Sequence, residues 1–152
     1  MLRKNESTMS ESVKNLAAAQ LKVQKEIKDI SKDSTGYGYK YTSFDKLVQY
    51  LRPLLSKHGI SFIQMPVGDK YQVGLQTVYM HSDSGEWITN VIKSPIVESK
   101  GMNTYQSIGS AITYFRRYSL SSFVGIASEE DADASPNNQN PKDSDKKDDS
   151  GW

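Results

Sequence analysis

The chain has 152 residues, of which 36% are hydrophobic and 24% charged, enough for one modest core with tails but not for two. It contains no cysteine, which excludes disulfide frameworks, thiolate nucleophiles and zinc–thiolate sites, and no apolar run approaches the ~18 residues of a membrane span. The opening "MLRKNESTMSESVKN" lacks the apolar region of a secretory signal, so a reducing cytoplasm is the expected compartment.

Chain order begins with residues 1–9, read as a flexible N-terminus. From Ser10 to Ile30, apolar residues at Val13, Leu16, Ala17, Leu21, Val23, Ile27 and Ile30 among Ala, Gln, Lys and Glu predict an amphipathic helix. "STGYGYKYTS" breaks that period with Gly36 and Gly38, predicting a loop or short extended segment that sets Tyr37, Tyr39 and Tyr41 around Lys40. Thr42 followed by Asp45 resembles a capping box opening a second helix through Leu47, Val48, Leu51, Leu54 and Leu55, which stops at Gly59 and is expected to kink or restart at Pro53.

From Ile60 the apolar period becomes two. "ISFIQMP", "YQVGLQTVYMH" and "EWITNVIKSP" predict three antiparallel strands joined by "VGD" and "SDSG". A polar loop then leads to a long helix from Asn103 to Phe123. At about 100° per residue, Tyr105, Ile108, Ile112, Phe115, Ser119 and Phe123 form a stripe expected to pack on the sheet. Gln106, Ser110, Thr113, Tyr114, Arg117 and Ser121 fall opposite, with Arg116 at the boundary, so Arg117 is expected to project among polar groups suited to phosphate oxygens. Gly109 and Ser110 are small for mid-helix positions, and close approach of another backbone or subunit would explain them.

After Ile126 the composition collapses into Asp, Asn, Ser, Lys and Pro. Residues 129–152 therefore read as an acidic disordered tail, leaving 10–128 as the folded domain. The tail holds eight acids against three lysines, a net −5; the remainder holds sixteen Lys/Arg against ten Asp/Glu, a net +6 that suits a polyanionic partner. The fold class is α+β: N-terminal helices, a three-stranded meander, a long helix and the tail.

At the long helix the residues become familiar. "GSAITYFRRYSLSSFVGIASEEDAD" resembles the signature of the ERF family of bacteriophage single-strand annealing proteins, a Gly-Ser-Ala-x-Thr-Tyr-x-Arg-Arg-Tyr helix followed by Leu, a Gly-Ile pair and an acidic cluster. Upstream, "YGYKYTSFDKLVQYLRPLLSKHGISFIQ" and "HSDSGEWI" are similar to that family's N-terminal pattern and hairpin, so the resemblance runs from about Tyr37 to Asp133. Phe115 stands where a small residue is frequent, and "SSF" replaces a more aliphatic stretch. The resemblance implies a β-β-β-α core and ATP-independent annealing in phage recombination within the bacterial host cytoplasm. Its implied partners are single-stranded DNA, the annealed duplex and further copies in rings or filaments, with no cofactor.

Such activity needs held backbones and displayed bases. The cationic candidates are Lys40, Lys93, Lys100, Arg116 and Arg117; Tyr37, Tyr39, Tyr41 and Tyr114 are candidate stackers, although Tyr41, beside a helix start, fits core packing better. Gln106, Ser110 and Thr113 complete the polar set. Passive coating of single strands, or a protein-interaction module, uses the same features. A nuclease reading of Glu129, Glu130, Asp131 and Asp133 is weaker, because the cluster adjoins an acidic tail and has no His or Lys in register. His58 and His81 form no constellation, and no GxxxxGK loop supports ATP hydrolysis. The tail's terminal Trp152 beside Asp148 and Asp149 suits either a tethered ligand for a replication or recombination protein or self-competition with DNA, and it equally suits plain solubilisation.

Overall fold

The structure, a computed structural model, describes residues 8–28, 30, 34–35, 40–97 and 100–128. The first amphipathic run folds as α1 (Lys14–Glu26), burying Leu16, Ala19 and Val23. Its N-cap, Val13, has no side chain to offer the open backbone donors. A distant carboxylate does this instead: Glu86 accepts from the backbone N–H of Leu16 at 2.8 Å and from the side chains of Ser12 and Asn15 at 2.9 and 3.0 Å. The glycine-tyrosine segment begins and ends in two short antiparallel strands, β1 (Ser34–Thr35) and β2 (Lys40–Tyr41).

The second helix, α2 (Phe44–Lys57), is capped one residue later than expected. Ser43, rather than Thr42, accepts from the Lys46 N–H, while Thr42 is buried and its N–H donates to the Ser128 carbonyl at 2.8 Å. Pro53 causes no break. It faces solvent while Leu51 and Leu55 face the core, so the backbone bond it removes falls on the wet side.

The alternating runs form one antiparallel meander: β3 (Ile60–Gly68), β4 (Gln72–His81) and β5 (Trp87–Pro95), in the order β3-β4-β5. Thr77 pairs with Gln64 on one side and Asn90 on the other. Alternation then puts Phe62, Gln64, Leu75, Tyr79, Ile88 and Ile92 on the helix-covered face and Ile63, Met65, Val91 and Lys93 on the opposite, exposed one. The edge of β5 is extended by the chain's own start: Met9 bridges Ile88, and the Thr89 N–H donates to Thr8 O at 2.8 Å. Thr8 and Met9, read from the sequence as part of a flexible N-terminus, thus pair with the sheet.

The long helix α3 (Thr104–Val124) opens on a complete capping box between Asn103 and Gln106 and closes at Gly125 in the left-handed region, φ 77°. Phe115 packs with Val73 and Leu75 under its N-terminal half. Toward its C-terminus, Leu120 and Val124 join Leu16, Val23, Leu47, Leu51, Leu55, Ile60 and Tyr79 in the main core. Each fully buried leucine there contributes roughly 1.5–3 kcal/mol. Tyr79 donates to the Ser119 carbonyl at 2.7 Å and stacks on Phe123 with centroids 3.6 Å apart; burial pushes its phenol pKa up and keeps it a donor. No helix among the described residues is long and apolar enough to cross a membrane. Residues 129–152, with the acidic cluster and Trp152, lie outside the described residues.

Candidate nucleic-acid interface

The two halves of α3 meet different surroundings. Along the C-terminal half, Leu120 and Val124 pack into the core shared with α1, α2 and the sheet, and Arg117, Ser119 and Ser121 are buried as well. Along the N-terminal half only the sheet side is covered, leaving Tyr105, Gln106, Gly109, Ser110, Thr113 and Tyr114 exposed.

This corrects the expected placement of Arg117. It is 6% exposed, and its guanidinium carbon lies 4.3, 5.3 and 5.6 Å from the ring centroids of Tyr41, Tyr114 and Tyr118. The angular position was right, but Tyr41, at the entry to α2, occupies the space assigned to solvent. A planar, weakly hydrated guanidinium tolerates such stacking where an ammonium would not. Tyr41 accordingly belongs to the packing. Ser121, also assigned to the polar side, is buried and donates to the Arg117 carbonyl at 2.9 Å. Tyr114, 43% exposed, rests on this assembly 4.3 Å from Tyr118.

Arg116 is the exposed member of the pair. Its guanidinium lies 4.3 Å from the Phe44 ring centroid, and Gln64 brackets it, donating to the Arg116 carbonyl at 3.0 Å and accepting from its Nε at 3.4 Å. The cation is therefore held in place on a wet surface.

The remaining candidates scatter. Ser110 is exposed and, with Tyr114, Ser107, Ile96 and Val97, lines a groove of about 280 Å³ between α3 and the end of β5. Thr113 has committed its hydroxyl proton to the Gly109 carbonyl at 3.1 Å, so it meets a ligand as an acceptor. Gln106 has committed its amide oxygen to the capping box at 2.9 Å. Lys100 is exposed in the turn before α3. Lys93 is exposed on the sheet face opposite α3, so the sheet separates it from Arg116. Tyr37 and Tyr39 lie outside the described residues, and of Lys40 only the strand position is described.

Two residues of this surface were not placed on it from the sequence. Gln64 sits on the half-covered edge of β3, and only the register shows that it reaches Arg116. Tyr105, placed on the buried stripe, is 86% exposed. Its position in the first helical turn was the available sign, since a stripe drawn through a whole helix ignores where the sheet ends.

A three-stranded meander backed by a long helix, with one half of that helix uncovered and edged by a fixed cation, defines a small α+β domain whose surface is organised along a helix. The family follows from comparison: a model of the ERF superfamily matches residues 16–150, most of the chain, and the chain belongs to that family. Membership carries a role in phage recombination and single-strand annealing. No curated protein and no solved structure matches the chain.

Proposed function

We propose that this protein binds single-stranded DNA and anneals complementary strands without ATP. The observation that carries the reading is the uncovered N-terminal half of α3, bounded by the positioned Arg116 at one end and presenting hydroxyl groups and the Tyr114 ring beside it. A cation for phosphates next to an aromatic face for bases is the chemistry that holds a single strand while leaving its bases available. One domain offers few contacts, so the active species is a ring or filament of copies in the bacterial host cytoplasm, where each bound domain raises the effective concentration of the next.

The test mixes complementary oligonucleotides with and without protein, in the absence of nucleotide, at several salt concentrations. Duplex formation accelerates, and strand binding weakens as salt rises because counterions are released on binding. Binding without acceleration identifies a coating protein instead, and a strict monomer in light scattering, with and without DNA, removes the assembly from the mechanism.

A further inference from the structure

Tyr105 is the most exposed large hydrophobic residue among the described residues, at 86%. It lies eleven positions before Arg116 on the same helix. At about 100° and 1.5 Å per residue, the two project within about 20° of one line, roughly 16 Å apart along the axis. Flanking that line are Ile112, half-buried toward the sheet, and, on the solvent side, Gly109, where an added Cβ would meet nothing within 4 Å among the described residues. The missing side chain of Gly109 leaves that solvent side of the helix open between a ring and a cation.

The line continues past the helix. The turn between β3 and β4 presents Tyr71, 68% exposed, with the Lys70 ammonium 4.7 Å from its ring centroid. The Ile96 N–H donates to the Tyr71 carbonyl at 2.9 Å, tying this turn to the segment that follows β5, and Ile96 lines one groove together with Ile108, which lies one helical turn from Tyr105. Two projecting tyrosines and the cations Lys70 and Lys100 thus share one end of the domain, with Asp69 the acidic group of the same turn, its carboxylate accepting from the backbone of Tyr71 and Gln72.

We propose that Tyr105, seconded by Tyr71, is a base-stacking platform, and that a single strand runs from Arg116 past Gly109 to this end of the domain. The inference rests on the single-strand reading above and adds the residues that grip bases and the side of α3 that the strand follows. Projecting rings interleaved with lysines match a strand whose phosphates need cations and whose bases need flat apolar faces. A protein partner would instead favour a continuous apolar patch with few charges at its centre.

The test is single-strand affinity of the full chain with Tyr105→Ala, Tyr105→Phe and Tyr71→Ala, using a mixed-sequence oligonucleotide and, as the second arm, an abasic strand of equal length. Both side chains are exposed, so the variants remain folded, which circular dichroism checks. Tyr105→Ala lowers affinity for the base-bearing strand about tenfold, Tyr105→Phe retains it, and Tyr71→Ala gives a smaller loss. The abasic strand, which has nothing to stack, binds wild type and Tyr105→Ala alike. Wild-type affinity in Tyr105→Ala, an equal loss in Tyr105→Phe, or lost self-association with DNA binding intact overturns the platform while leaving the annealing reading standing. Failure of the wild-type chain to bind any single strand overturns both.

Discussion

The guanidinium carbon of Arg117 lies 4.3 Å from the ring centroid of Tyr41, and the pair closes the space where α3 passes the entry to α2. Arg116, its immediate neighbour, points about 100° away and stays in water over Phe44. Two adjacent arginines thus have separate work, one inside the domain and one on its surface.

Arg117→Ala removes a buried cation from among three tyrosine rings and leaves a void beneath Tyr114. Stability falls by about 2 kcal/mol or more, read as a lower urea midpoint at unchanged slope. Arg117→Lys recovers only part of the loss, because an ammonium does not stack as a plane. Unchanged stability with lost DNA affinity would return Arg117 to the direct contacts.

Arg116→Ala has the opposite signature. The fold and urea midpoint are kept, single-strand affinity falls similarly for all sequences, and the slope of log affinity against log salt becomes shallower by about 0.7, the share of one phosphate contact on a single strand. An unaltered slope would mean that this cation meets no phosphate.

Gly109→Ala separates folding from binding in one variant. With empty space around the new methyl, helix propensity raises stability by roughly 0.5–1 kcal/mol. If a strand passes close to this position, affinity for single-stranded DNA drops in the stabilised protein. A variant that is more stable and binds as wild type excludes close approach there.

Glu86 links stability to pH. Burial works against its ionised form, but the Leu16 N–H and the Ser12 and Asn15 side chains outweigh it and hold the carboxyl below its ordinary value of 4.5. A lowered native-state pKa adds stability that is present above the unfolded-state value and is lost as pH falls through the native one. Glu86→Gln therefore lowers the melting temperature at pH 7, and the gap to wild type narrows as the medium is acidified below about pH 4. An equal gap at both ends of that range would show that the carboxylate charge is not what holds α1.

Much of the architecture is written locally. The strands were legible because β-rich runs are separated by the turn residues of "VGD" and "SDSG", and α3 because Asn103, Gln106 and Gly125 mark its ends. The capping of α1 was not legible: Val13 offers nothing, and the carboxylate comes from Glu86, about 70 residues away. The unbroken course of α2 through Pro53 likewise depends on which side of that helix faces water.

What the sequence by itself determined was the order and type of the elements, the unequal charge of residues 1–128 and 129–152, and the angular position of every side chain on α3. What only the tertiary structure decided was the meaning of those angles. Gln106 and Arg117 project on nearly the same side of α3, yet one is exposed and the other buried, because the Tyr41 ring, at the entry to α2, covers that side only toward the C-terminal end of α3. Tyr105 and Phe123 share the opposite stripe, but the sheet lies under Phe123 and does not cover Tyr105. Helical periodicity assigns a direction to each residue, while burial depends on what another part of the chain places in that direction.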